Sequence, residues 1–182
     1  MAKLISKVYA DALFELAVEN NNIDNIALEI ANVKSAIDEN EELIKVLNHP
    51  KIIKEEKIAL VNNIFKGRVS DEVAGFIVSI VDKDRYNYFD EIFEYFLGLV
   101  KEYKGIGVAY VTSAIELSDA QKKSITEKLI QTTRYKEFEI NYSVDKKLIG
   151  GLVIRIGDRV VDSSIKTKIE QMSRELNSLQ IV

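Results

Sequence analysis

The sequence predicts an α+β protein: an N-terminal six-helix bundle over residues 1–105, then a small α/β C-terminal domain over residues 106–182 with a short sheet and two helices. Three observations predict it. Apolar residues recur at helical spacing through the first hundred residues and alternate with a period of two directly after Gly105. Charge changes at the same place, from 13 basic against 19 acidic residues (−6) to 12 against 10 (+2). Aromatic content changes with it, since every phenylalanine except Phe138 precedes Gly105.

The first helix, residues 3–20, carries Ile5, Val8, Tyr9, Ala12, Leu13, Leu16 and Ala17 as a wide apolar stripe. A second follows Asn22, with Ile23, Ile26, Ala27, Ile30, Val33 and Ile37 in register. Asn40-Glu41-Glu42 reads as a cap and acidic first turn of a short helix that stops before Pro50. Ile52 to Phe65 forms a fourth helix, with Gly67 where a left-handed C-cap is favoured. Ser70-Asp71-Glu72 opens a fifth, and a sixth runs from Tyr86 to Tyr103 with Phe89, Ile92, Phe93, Phe96, Leu99 and Val100 inward.

Beyond Gly105 the first strand alternates Val108, Tyr110 and Thr112 with Ala109, Val111 and Ser113. Ser118-Asp119-Ala120-Gln121 is a capping-box pattern opening a helix to Thr133. Phe138, Ile140, Tyr142 and Val144 mark a strand with one wet face, and Leu152, Ile154 and Ile156 mark the next. Gly157-Asp158 is the turn of a hairpin returning through Val160-Val161. The last helix, from Ser163, spaces Ile165, Ile169, Met172, Leu176 and Leu179 in a heptad-like stripe, expected to pack on its own sheet or to meet a coiled coil.

Catalysis has little to stand on. There is no cysteine, so disulfides and thiolate metal sites are excluded, and a reducing compartment is compatible. His49 is the single histidine, placed at a helix end as a cap or surface residue, which leaves Ser–His and multi-histidine metal sites without partners. The pairs Glu41-Glu42, Glu55-Glu56 and Asp71-Glu72 are adjacent on helices, so their side chains diverge by about 100° and do not converge on a substrate. Gly150-Gly151…Gly157 lacks the dinucleotide and P-loop spacings. An acidic first half argues against nucleic acid, so the aromatic stripe of the sixth helix is core rather than a base-stacking platform. The N-terminus has no signal-peptide apolar core, and the most apolar stretch, Val73 to Val81, is too short to span a bilayer. No cofactor, metal or catalytic residue is expected, and direct membrane insertion is not expected either.

Two helices carry surplus apolar surface. Leu4, Phe14 and Val18 lie outside the stripe of the first, and the fifth is apolar almost all round. Either these helices are central in the bundle, or they line a groove that accepts another helix.

Tyr9-Ala10-Asp11-Ala12-Leu13-Phe14-Glu15-Leu16-Ala17 resembles the first-helix motif of the delta subunit of bacterial F-type ATP synthases, the counterpart of the mitochondrial oligomycin-sensitivity-conferring protein. The run from Ile149 to Ser164, containing Gly150-Gly151, Arg155, Gly157-Asp158, Asp162 and Ser164, resembles that family's signature; Ser163 departs from it, where many members carry glycine. The resemblance covers the whole chain. It implies a non-catalytic stator subunit, present once in a hetero-oligomeric complex on the cytoplasmic face of the bacterial plasma membrane. By the same resemblance the bundle grips the N-terminal helix of an alpha subunit between its first and fifth helices, and the C-terminal domain engages the C-terminal ends of the b subunits. Rotational torque is thereby resisted during proton- or ion-driven ATP synthesis. Tyr9, Ala12, Leu13 and Leu16, with Phe76, Ser79 and Ile80 opposite, are then the expected groove residues. Gly150, Gly151, Arg155, Gly157, Asp158, Asp162 and Ser164 are expected to shape strand, turn and helix cap. A helical adaptor for another partner, or a small enzyme built around Asp158 and Asp162, are the competing expectations.

Overall fold

The computed structural model describes residues 2–179, which fall into two compact units, Met1–Lys101 and Glu102–Val182. The first contains α1 (Ala2–Glu19), α2 (Ile23–Asp38), α3 (Glu41–Leu47), α4 (Lys54–Phe65), α5 (Asp71–Asp82) and most of α6 (Phe89–Lys104). Among the described residues, no helix is long and apolar enough to cross a membrane.

The helical unit is organised around α2, α5 and α6. Ile26, Ile30, Ile77, Ile80, Ile92 and Phe96 are fully buried in one cluster that also takes in Phe93. Phe89 and Phe93 stack within it, centroids 5.4 Å apart, so the phenylalanines of α6 are core. α5 is anchored at its start: Ser70 is its N-cap, and both the amide and the hydroxyl of Ser70 donate to Glu29 of α2, at 2.9 and 2.6 Å. α1 turns mostly small residues inward. Its inward row is Ser6, Ala10, Leu13 and Ala17, of which the three small ones let the helix approach its neighbours closely.

Two local expectations change. Asn40 precedes α3, but its side-chain amide donates 2.7 Å back to the carbonyl of Ala36 and so completes the end of α2. Gly67 (φ +79°) does not cap α4, because Lys66 before it is already extended. The amide of Arg68 donates to the carbonyl of Phe65 at 3.0 Å, closing a type II turn with glycine at its third position.

The second unit holds β1 (Ile106–Ser113), α7 (Asp119–Thr132), β2 (Glu137–Val144), β3 (Leu152–Ile156), β4 (Arg159–Asp162) and α8 (Ile165–Leu179). The sheet order is β2-β1-β3-β4, with β1 parallel to β2 and antiparallel to β3. β1 pairs with β2 in parallel, so the chain must cross over, and α7 is the crossover. The capping box opens it: the amide of Ser118 donates to Gln121 at 2.9 Å, and the amide of Gln121 to Ser118 Oγ at 3.4 Å. The units divide one helical turn before the expected change of period at Gly105. The last turn of α6 is held by the second unit, where Glu102 accepts from Arg134 and, at 2.7 Å, from the Tyr135 hydroxyl.

Candidate docking surfaces

Facing away from the core, α1 presents Leu4, Val8, Ala12 and Leu16 at steps of four, all of them exposed. Leu4 is 67%, Val8 59% and Leu16 38% accessible, well above what a core-facing row would show. Steps of four place these residues along one ridge of the helix. α5 lies beside it: Tyr9 meets Phe76 edge to face, with ring centroids 6.5 Å apart. On α5, Gly75 and Ser79 are exposed beside Phe76. Ala12 on α1 and Gly75 and Ser79 on α5 are thus small exposed residues on two helices that meet at Tyr9 and Phe76.

Of the residues expected in an α1–α5 groove, Ala12, Leu16 and Ser79 are exposed, and Tyr9 and Phe76 are half-buried and in contact. Leu13 and Ile80 are not groove residues. They point into the core at 3% and 0% accessibility, because they sit on the faces that α1 and α5 turn toward the bundle. Leu4 and Val8 are exposed instead, at spacings of four from Ala12 and Leu16.

The second unit has its own apolar surface. The pairings Gly107↔Phe138, Ala109↔Ile140, Val111↔Ile154 and Ala109↔Ile156 put these residues on one face of the sheet. α7 covers only part of that face. Between α7 and β3–β4 lies a groove of about 850 Å³ lined by Ile125, Leu129, Leu152, Ile154, Ile156 and Val161, with Lys128 and Arg159 among its polar residues. α8 does not fill it. Ile165, Ile169 and Met172 are exposed along α8, so the stripe does not pack on the sheet; the side chains of Leu176 and Leu179 lie outside the described residues.

The signature run builds the junction between β3, β4 and α8. Gly151 (φ +83°) lies against the backbone of Ser163 and Ser164, and a Cβ on Gly150 would stand 2.6 Å from Ile165 Cδ1. The amide of Ile165 donates to the carbonyl of Gly150, and that of Ser163 to Leu152, at 2.9 and 2.8 Å. Gly157 and Asp158 form the two-residue turn between Ile156 and Arg159, with Gly157 at φ +55°. Arg155 lies over the ring of Tyr110, 4.8 Å from its centroid. Ser163 is not among the residues with positive φ, so serine fits where many members carry glycine.

Asp162 and the buried Ser164 start α8. Asp162 accepts from the amide of Ser164 at 2.8 Å and from the Thr167 hydroxyl at 2.7 Å, and Ser164 Oγ accepts from the amide of Thr167 at 3.3 Å. Asp158 and Asp162 are exposed, and neither lines the groove beside α7, which removes the expectation of an active site around them. Among the described residues, no group of three or more His, Cys, Asp or Glu could hold a metal ion, and His49 is exposed.

The amide of Ser164 first, and then the Thr167 hydroxyl, hold the Asp162 carboxyl below the ordinary carboxylate range. A depressed folded pKa contributes stability above the unfolded value near ~3.9, and that stability is lost as pH falls through the folded value. Asp162→Ala is therefore expected to lower the melting temperature at about pH 7, with the gap to wild type closing near about pH 2. A gap that does not change with pH would assign the effect to something other than the carboxylate.

A family model described as ATP synthase delta (OSCP) subunit matches residues 5–176. The chain is 59% identical over 181 residues to the ATP synthase subunit delta of Lachnoclostridium phytofermentans, covering 100% of both chains. It is 40% identical over 174 residues to that of Desulforamulus reducens, covering 96% of each. A chain in the structure of the Toxoplasma gondii mitochondrial ATP synthase hexamer shares the fold at TM-score 0.66 and 13% identity, over 94% of this chain and 96% of that one. With the match running nearly end to end, the chain belongs to the ATP synthase delta (OSCP) family, the non-catalytic stator subunits of the peripheral stalk of F-type ATP synthase.

Proposed function

We propose that the helical unit grips the N-terminal helix of one alpha subunit in the α1–α5 groove, while the second unit holds the C-terminal ends of the b subunits. One copy then ties the catalytic hexamer to the stalk at the cytoplasmic face of the plasma membrane, and torque from the rotor is resisted through two non-covalent grips. The observation that carries this reading is the exposed row Leu4, Val8, Ala12 and Leu16 beside Phe76 and Ser79. A monomer gains nothing by showing such a row to water, whereas burying a Leu or Val side chain is worth about 1.5–3 kcal/mol. For the second unit, support comes from the uncovered groove beside α7 and the exposed stripe of α8, both apolar and both in one unit.

Ala12→Glu tests the first grip. The position is exposed and helical, so far-UV circular dichroism and melting temperature should stay close to wild type. A carboxylate in the middle of an apolar groove would have to be desolvated on docking, so calorimetry with a synthetic alpha-subunit N-terminal peptide should show at least about a tenfold loss of affinity. Unchanged affinity in a folded variant would place the alpha-subunit contact elsewhere.

A further inference from the structure

At one end of the α1–α5 groove the apolar row meets two cations. Leu4, Ile5, Val8 and Tyr9 line a cleft of about 370 Å³ together with Lys83 and Arg85. Tyr9, which lines this cleft, also meets Phe76 of α5, so it is shared with the proposed groove.

The backbone holds Arg85 in place. Asp84 takes a left-handed conformation at φ +52°, its amide donating to the carbonyl of Val81 and that of Arg85 to Ile80, at 3.0 and 2.9 Å. This is a Schellman closure of α5, and it sets Arg85 just past the helix. Among the described residues the Arg85 side chain has no hydrogen-bond or ion-pair partner. Lys83 reaches Asp82 at 3.4 Å, but Lys54 holds the same carboxylate at 2.9 Å, so Lys83 gives up little by turning to another partner.

A cation near a helix C-terminus can serve the helix dipole alone, and Lys83 fits that role. Arg85 lies beyond the last turn and lines an apolar cleft, which that role does not explain. The surroundings sharpen the point. Residues 1–105 carry a net charge of −6, so most of this unit repels a carboxylate, and the cleft is a place where one is welcome.

Register is a further reason for charge here. A row of apolar side chains at 4, 8, 12 and 16 looks nearly the same after a shift of one helical turn, so apolar contact alone would let a docked helix slide. A charged contact at one end of the row breaks that equivalence, as polar and charged positions do in coiled coils.

We propose that the docked helix places a carboxylate in this cleft, paired with Arg85 and Lys83, and that this pairing fixes the register of the helix in the groove. The proposal rests on the assignment of the groove to the alpha-subunit N-terminal helix. It is tested with the full chain and a synthetic peptide of that helix from the same organism, using calorimetry at low and high salt. Lys83→Gln/Arg85→Gln should bind about three- to tenfold more weakly than wild type at low salt, with most of the difference gone at high salt.

The peptide's Asp and Glu residues are then replaced one at a time by Asn or Gln. One replacement should weaken binding to wild type while leaving binding to the double variant unchanged, the signature of a direct pair. If Ala12→Glu weakens binding but the double variant binds like wild type, the cleft proposal falls and the groove assignment stands. If the double variant weakens every peptide equally, with no carboxylate singled out, the pairing is overturned. A peptide that does not bind wild type overturns both.

Discussion

Gly151→Ala is expected to lower the melting temperature of the β1–β4 unit by about 10–30 °C. Two effects add. Gly151 sits at φ +83°, a region where an L-residue costs about 1–2 kcal/mol. A methyl group there would also collide with the carbonyl oxygen of Ser163 and stand 2.9 Å from Cα of Ser164. Those atoms are backbone, so no rotamer change relieves the clash, and a forced shift in a packed region costs about 1–3 kcal/mol more. The amides of Ser163 and Ser164 also donate to the Leu152 carbonyl and to Asp162, so moving them disturbs the start of α8 as well. Domains of this size have only about 4–12 kcal/mol in total. Gly98→Ala is the matched control: it lies inside α6 with nothing within 4 Å of an added Cβ, and should stabilise by about 0.5–1 kcal/mol. A Gly151→Ala protein melting within a few degrees of wild type would show that the approach to Ser163 relaxes freely.

Phe96→Ala should cost the helical unit about 3–5 kcal/mol, the range for a fully buried aromatic truncated to alanine. Phe96 is 0% accessible and packs in a cluster that contains no residue beyond Val100. Hydrogen exchange is the discriminating measurement. Amides of α2, α5 and α6 should lose protection by a factor of about 10² or more, while those of β1 and β3 keep most of theirs. A uniform loss across both units would mean that they unfold as one cooperative body.

Much of this architecture could be read from residue order because local chemistry and tertiary packing agree. Ser118 and Gln121 form the reciprocal cap that their spacing announces. Gly157-Asp158 makes the tight turn, and the inward row of α6 is the row its period predicts. The misreadings share a cause. In α1 the predicted stripe included Val8 and left out Ser6 and Ala10, yet Ser6 and Ala10 are buried and Val8 faces out. Hydrophobic periodicity marks a face that will be covered without saying by which chain. The same holds for α8, whose stripe was expected to meet either its own sheet or a coiled coil and which the sheet does not cover. Side chains that swap roles, such as Asn40 completing the helix before it, depend on the angle at which the chain arrives, and spacing does not carry that. The pairing of Lys83 and Arg85 beside α1 is likewise invisible in sequence, since about eighty residues separate them from Val8.

The position of β1 in the sheet has a consequence for biosynthesis. It is the first strand to leave the ribosome, and it lies between two strands that follow it: β2 begins at Glu137 and β3 at Leu152. The helices before it can pack on contacts already synthesised, but β1 must wait with both edges bare. Ile106 to Ser113 contains no charge and no proline, the composition most prone to pairing with another nascent chain. Lys101, Glu102 and Lys104 before it and Glu116 after it stand where gatekeeping charges protect such a segment. Neutralising the exposed Glu116 should leave the finished subunit intact while lowering its yield during translation, so a surface charge governs how much of the subunit is made.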